Sequence, residues 1–481
     1  MANPGKIAVK EINPGDKDSG DLYKKREHIY QRHISGIFQT LRIATIWITL
    51  GLYFLVPWLT WGGRQGVLFD LPERKFYIFW FTFWPQDFLY LSWLLIIAAF
   101  ALFFFTVLAG RIWCGYTCPQ TVWTTFFMWI EYITEGDRSA RIRLDAQPWS
   151  VNKFVRKFSK HFLWIALAFW TAFTFVGYFT PVRELWSDLY AFNVSGWAWF
   201  WLFFFTTATY LNAGWLREQV CLYMCPYARF QSVMFDRDTL IVTYDEARGE
   251  PRGSRKKTAD YKSEGLGDCI NCQMCVQVCP TGIDIRNGLQ YECIGCAACI
   301  DACDHIMDQM GYPRGLVRYS TENAIAGKPS KILRPRLIGY GIALFVMITV
   351  LLTVLLNRVP LQVDIIRDRN ALYRINFNDN IENTYILKIM NKTQQPQDYV
   401  VKVSGLKDAI PHIPDQIHAL PGELVNLPVT LEIEPDELEH RNTTVYFTIT
   451  SQSQPPHSVT EESRFLGPRS DSHEEHHDDH D

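Results

Sequence analysis

Aspartate, glutamate, lysine, arginine and histidine are all missing from the five longest apolar stretches of this chain, residues 43–61, 88–110, 162–180, 194–216 and 338–356. That gap excludes a proton relay or ion pathway through the stretches, since both need buried ionisable groups. It also disfavours an intramembrane b-type haem, which wants axial histidines, because His161 alone lies near an end of one stretch. Net charge is nearly absent too. With 47 Lys and Arg against 50 Asp and Glu, the balance of −3 is too small to point to nucleic acid or an acidic partner. The first forty residues lack the short apolar run and small-residue cleavage site of a secretory signal, so the first apolar stretch is expected to stay as an anchor. Cysteine is absent from everything after residue 303.

What is present is aromatic and blocked. There are 17 Trp and 32 Phe, concentrated in runs rather than spread at amphipathic spacing. Each of the five stretches approaches the roughly 20 residues that a hydrocarbon core demands. Buried helices of a large soluble protein would be the alternative, but that reading needs five uncharged runs in one chain. A sixth apolar patch, 76–85, is too short to span and is expected to be an interfacial aromatic segment. Residues 1–42, 111–160 and 217–337 carry eight, eight and sixteen Lys or Arg, whereas the alternate loops carry only Arg64, Arg74 and Lys75, and Arg183. The positive-inside rule then puts the N-terminus and the rich segments in the cytoplasm, and everything after residue 356 outside.

All 12 cysteines fall in segments expected to be cytoplasmic. Reduced thiols there point to metal ligation or redox work rather than disulfides. Cys269, Cys272, Cys275 and Cys279 form a C-x2-C-x2-C-x3-C run followed by Pro280. Cys293, Cys296, Cys299 and Cys303 repeat the spacing, with Asp304 where a proline would stand. Both match the bacterial-type run for cubane clusters, in which the fourth Cys ligates the other cluster. One [4Fe–4S] cluster is therefore expected on Cys269, Cys272, Cys275 and Cys303, and a second on Cys293, Cys296, Cys299 and Cys279. Zinc sites pair their cysteines two by two with longer gaps, which disfavours zinc.

A second duplication precedes these runs. Cys114-Gly-Tyr-Thr-Cys118-Pro119 and Cys221-Leu-Tyr-Met-Cys225-Pro226 both read Cys-x-Tyr-x-Cys-Pro, and each follows an apolar pair of segments. On a continuing helix, residues i and i+4 share a face, so each pair would offer two sulfurs to one soft ion. The proline after each pair is expected to break the helix as it leaves the membrane. Buried structural cysteine is the bland alternative.

Beyond residue 361, segments 362–366, 373–377, 383–389, 398–403, 425–433 and 443–450 are rich in Val, Ile, Thr and Tyr between turn-forming clusters, the pattern of a small β-sandwich. Residues 470–481, with His473, His476, His477 and His480, form an acidic, histidine-rich tail that reads either as a loose metal binder or as a solvated tail. The expected fold is a multi-domain membrane protein: about five transmembrane α-helices, an inserted α+β double-cluster ferredoxin-like domain and a C-terminal all-β, immunoglobulin-like sandwich. The expected boundaries are a cytoplasmic segment 1–42, four helices with both cysteine pairs in 43–217, and a cytoplasmic region 218–337 holding the ferredoxin-like domain at about 260–312. A fifth helix follows at 338–356, then a periplasmic sandwich 357–465 and a tail 466–481.

This combination resembles the FixG/RdxA/CcoG family of cytochrome c oxidase accessory proteins over almost the whole chain. The resemblance implies a bacterial inner-membrane protein that helps assemble cbb3-type cytochrome c oxidase by reducing Cu(II) to Cu(I). In that reading Cys114, Cys118, Cys221 and Cys225 handle copper, the eight ferredoxin cysteines carry electrons from an unidentified donor, and oxidase subunits or assembly factors are the partners. The alternatives are an electron conduit of a quinol-linked periplasmic reductase system and a copper-holding scaffold without turnover. Topology gives the first test. A reporter active only outside the cytoplasm is expected to be silent when fused after Arg141 or Gly265 and active after Gly405; activity at Gly265 would overturn the placement of the cysteine runs.

Overall fold

The computed structural model describes residues 28–468 apart from 394, 439 and 454–455. The basic residues before position 28 and the histidine-rich tail, with His473, His476, His477 and His480, lie outside the described residues. Contacts divide the chain into two units: residues 1–54, 100–174 and 195–341 form one, and 55–99, 175–194 and 342–481 the other.

Four helices are long and apolar enough to cross a membrane: Ile37–Trp58, Phe88–Ala109, Val151–Val176 and Pro335–Leu356. Two begin well before the uncharged runs that mark them in the sequence. The first takes in Arg42 and the third takes in Lys153, Arg156, Lys157 and Lys160. The stretch expected at 194–216 is helical but not uniform. An α-helix, Gly196–Thr209, with Ser195 capping the Ala198 amide, passes into a π-helical segment, Tyr210–Leu216. The wider turn lays Gly214 against the Trp164 ring, where an added Cβ would stand 3.1 Å from ring carbons.

The first unit is organised around a buried carboxylate. Residues 119–135, in a segment expected only to be cytoplasmic, form a 17-residue helix, Pro119–Glu135. Glu131 on this helix is 2% exposed and meets Arg141 at 2.9 Å, Arg217 at 2.5 Å and Lys160 at 3.9 Å. Glu135, one turn on, meets Lys160 at 2.9 Å and Lys157 at 3.0 Å. Residues far apart in sequence are thus tied to one helix. The start of the first apolar helix is fixed in a similar way. The Phe38 and Gln39 amides donate to the Asp301 carboxylate at 3.3 and 2.7 Å, satisfying orphan N–H groups where the helix dipole favours an anion. Gly36 makes room for this: a Cβ there would fall 2.2 Å from Asp301 Cγ.

In the second unit, Val67–Asp70, Lys75–Ile78 and Phe81–Phe83 form a three-stranded antiparallel sheet, so the aromatic patch expected at 76–85 is two of its strands. Residues 361–466 form two sheets. One runs in the order Ile410–His412, Leu424–Ile433, Ile381–Asn391, Leu361–Arg367, with Arg374–Ile375 beside Ile381–Asn391. The other runs Ile417–Ala419, Gln397–Ser404, Asn442–Ser451, Ser458–Leu466. Alternation places Leu387, Ile389, Val429, Leu431, Val445, Phe447 and Phe465 inside, all fully buried, with Tyr385 closing on the Arg464 carbonyl at 3.0 Å. Asp87 is 8% exposed and takes Arg358 at 2.5 Å and Lys392 at 3.0 Å, joining the loop before the second apolar helix to the foot of the sandwich.

Burial alone would raise the Glu131 carboxyl, but Arg217 foremost, with Lys160 and Arg141, holds it below the usual carboxylate range. A depressed carboxyl stabilises the fold above its unfolded value and loses that contribution as the pH falls through its lowered folded value. Glu131→Gln leaves Arg217 and Arg141 buried without their anion and is expected to cost about 3–5 kcal/mol. Thermal unfolding in detergent, followed by tryptophan fluorescence from neutral to acidic pH, checks this: the wild-type acid slope should be steeper than the variant's.

Candidate metal centre

The two cysteine runs adopt the same backbone. In the first, Asn271 and Gln273 have φ of 55° and 57°; in the second, Gly295 and Ala297 have 66° and 59°. Left-handed residues before and after the middle cysteine coil each run, and at Gln273 and Ala297 the position carries a side chain despite the cost. A short helix follows each coil, Met274–Gln277 in one and Ala298–Met310 in the other. Arg286 braces the first coil, bonding the Asn271 side-chain oxygen at 2.7 Å and Asp284 at 2.6 Å.

Each run faces a small apolar cavity. The first cavity is lined by Cys269, Cys272, Cys275 and Cys303, with Tyr244, Met307 and Leu316 among the other walls. The second is lined by Cys279, Cys293, Cys296 and Cys299, with Cys275 also at its wall. The eight cysteines therefore fall into the two crossed sets that the spacing suggests, and Cys275 stands between them. Burial pushes the Cys275, Cys293 and Cys303 thiols up to about 12. Such groups give up their protons to a metal rather than to water. Among the described residues no three Cys, His, Asp or Glu side chains converge closely enough to hold a single ion. A cubane does not ask for that, because its ligands bind separate irons and surround a volume instead of a point. Donor type, number and enclosure fit two [4Fe–4S] clusters.

The four earlier cysteines sit differently from the sequence expectation. Neither pair lies on one continuing helix. Cys114 belongs to a short helix, Ile112–Tyr116, and Cys118 is the N-cap of Pro119–Glu135. Cys221 lies in a π-helical turn, Val220–Met224, and Cys225 is the N-cap of Pro226–Met234. Each proline starts the following helix at its first position, where its missing N–H costs nothing, instead of ending the preceding one. Cys114 lies near enough to sense a charge on Cys118 and on Cys221, and Cys118 one on Cys225, although no three of these side chains converge on one point among the described residues. Burial, then the Cys118 charge, pushes Cys114 up to about 12, and burial raises Cys221 to about 11. The Cys114 thiol donates to Gln231 Oε1 at 3.4 Å, while Gln231 Nε2, wholly buried, has no partner.

This group touches the second cysteine run. Cys114 packs against the buried cluster that contains Ile294 and Cys296. A Cβ on Gly115 would stand 2.9 Å from the Cys296 Cα, so only glycine permits the approach. Arg111 spans the junction, donating to the carbonyls of Tyr291 and Ala228 at 2.5 and 2.6 Å, and Tyr319 donates its hydroxyl to the Gly295 carbonyl at 2.6 Å. Sequence reasoning missed Arg111, Gly115, Gln231 and Tyr319. The only visible signal was a lone arginine and a glycine beside Cys114.

Comparison with known proteins agrees with this geometry. Residues 216–322 match a 4Fe-4S dicluster domain, residues 91–132 a 4Fe-4S binding domain, and residues 351–468 the IG-like fold at the C-terminus of FixG. The chain is 36% identical to the nitrogen fixation protein FixG of Rhizobium meliloti, over 91% of this chain and 89% of that protein. It is 40% and 39% identical to the proteins RdxB and RdxA of Cereibacter sphaeroides, over 82% of this chain and 85% and 86% of theirs. A solved FixG-related protein from Vibrio parahaemolyticus is 40% identical, covering 22% of this chain and 95% of its own, with a TM-score of 0.21.

If each cavity takes a cubane, anaerobically prepared protein should hold about eight irons and eight sulfides per chain. Cys272→Ser should damage one cluster and Cys279→Ser the other, seen as separate losses in the reduced-state electron paramagnetic resonance spectrum. Stoichiometric zinc without iron would refute the assignment.

Proposed function

We propose, since this chain belongs to the FixG/RdxA family of membrane-associated iron–sulfur redox proteins, that it reduces Cu(II) to Cu(I) for the assembly of a cbb3-type cytochrome c oxidase. Cys269, Cys272, Cys275 and Cys303 would hold one [4Fe–4S] cluster, and Cys293, Cys296, Cys299 and Cys279 the other. Bound there, the clusters would supply one-electron carriers. Cys114, Cys118, Cys221 and Cys225 would receive copper, and the observation that carries this reading is the packing of Cys114 and Gly115 on the run containing Cys296. Copper arriving as Cu(II) takes up one electron and leaves as Cu(I), the state that thiolates prefer. The thiols lose their protons as the ion binds, and Arg111 beside them offsets the negative charge that builds up.

Sidedness follows the positive-inside pattern. The segments assigned inside fall almost wholly in the first structural unit, and those assigned outside in the second. The donor side would thus be cytoplasmic and the sandwich periplasmic, in an inner membrane.

A second reading is favoured by one finding, the match of residues 91–132 to a 4Fe-4S binding domain. That stretch holds only Cys114 and Cys118, so a cluster there would draw its other ligands from Cys221 and Cys225. The four cysteines would then be an electron relay, as in a conduit.

Replacing Cys114 and Cys118, or Cys221 and Cys225, separates these readings. The reductase loses Cu(II) reduction, measured with a Cu(I)-specific chelator under anaerobic conditions, while iron stays near eight per chain and the cluster absorbance is unchanged. A relay cluster instead shows about twelve irons in the unaltered protein, falling to about eight in the variants. A scaffold binds Cu(I) without turnover, and a conduit shows no copper reduction at all. Removing residues 473–481 is expected to leave the rate unchanged; a fall with the tail, and survival without the four cysteines, would move the copper site.

A further inference from the structure

We infer that a cavity at the start of the first apolar helix binds the phosphate headgroup of an anionic phospholipid. The cavity, about 220 Å³, is bounded by residues 31–34, the first part of the helix Ile37–Leu55 and the helix Pro119–Glu135. One side is cationic: Arg32, Arg42 and Arg141 all line it. Arg42 is 2% exposed and Arg141 5%, and the Nε of each is buried without a hydrogen-bond partner. Arg42 donates to the Thr125 hydroxyl at 2.6 Å and has no carboxylate within ion-pair distance among the described residues. Glu131, which Arg141 meets, is already shared with Arg217 and Lys160. A buried guanidinium without a counter-charge is costly, so the site calls for an anion from outside the chain.

The other side says which anion. The rest of the lining is largely apolar, with Ile43, Ile46, Phe126 and Met128, and it includes Trp47 and Trp129, 58% and 48% exposed, the first on a helix long enough to span a membrane. A phosphodiester offers two charged oxygens to a guanidinium fork, and its acyl chains continue along the apolar wall. Basic cavities between membrane helices bind lipid headgroups in this way. Free phosphate would leave the apolar wall unused, and a neutral quinone would leave Arg42 uncompensated. Two polar residues of the lining also meet the first cysteine run. Gln31 donates to the Val278 carbonyl, and the Arg32 amide to that of Gln277, both at 2.8 Å. A lipid held here would therefore brace the first cysteine run against the membrane surface.

The test uses the full chain, delipidated in detergent and reloaded from vesicles of phosphatidylglycerol or phosphatidylcholine, with bound lipid counted by native mass spectrometry. Wild type is expected to retain about one phosphatidylglycerol and to prefer it to phosphatidylcholine at least tenfold. Arg42→Gln should abolish the preference, and Ile43→Trp, which narrows the apolar wall without touching charge, should lower retention while cluster absorbance reports an intact fold. Exposed Arg314→Gln should behave as wild type. Equal retention of both lipids, a preference unchanged in Arg42→Gln, full displacement by millimolar inorganic phosphate, or a quinone extracted in place of phospholipid would each overturn the proposal.

Discussion

One buried carboxylate, Glu131, determines where the chemistry of the first unit can sit. Its helix begins at Cys118, and its partner Arg217 stands four residues before Cys221. The two Cys-x-Tyr-x-Cys-Pro segments are separated by about a hundred residues, yet the ion pair clamps their neighbourhoods together. The charges cost much to bury and return that cost only when all partners are present, which makes the arrangement all-or-none. Lys160 and Arg141 complete it from two further segments. A surface made of exposed aromatics would by itself allow the helices to slide; the carboxylate allows one register.

Proline and glycine then set the detail. Pro119 and Pro226 end nothing. They begin helices, and so place Cys118 and Cys225 at N-cap positions instead of on one helix with Cys114 and Cys221. Gly115 removes the side chain that would hold the first pair away from Cys296. Both features bring the first of the repeated tetrapeptide frames against the loop that carries Cys296, which an ordinary helix face bearing a side chain at position 115 would not achieve.

Much of this was legible in sequence, for physical reasons that differ by region. Metal ligand spacing is strict, so the eight cysteines of the two runs sort into two proposed sets by spacing alone; one cavity is lined by Cys269, Cys272, Cys275 and Cys303, and the other by Cys279, Cys293, Cys296 and Cys299 with Cys275 again. Alternating Val, Ile and Tyr identified most of the sandwich. Ser458–Leu466 was missed because its exposed positions carry Glu461, Glu462 and Arg464, and only its pairing with Asn442–Ser451 makes it a strand. The helix Pro119–Glu135 was missed because Thr, Trp and Glu mix without a clean polar face, and Glu131 finds its arginines 10 and 86 residues away. Uncharged runs located four spanning helices but not the starts of two, since Arg42 and Lys160 are buried inside the fold.

The contact between Gly36 and Asp301 carries a consequence for inheritance. A carboxylate on the helix between Cys299 and Cys303 serves as the cap of a helix that begins more than 260 residues earlier. No side chain fits at position 36 while Asp301 keeps its place, and an apolar residue at 301 would leave the two amides without their acceptor. The two positions can therefore drift only as a pair. A chimera that takes its membrane helices from one relative and its cysteine runs from another would inherit half of this joint. Such a graft would seat properly only where both parents already share it.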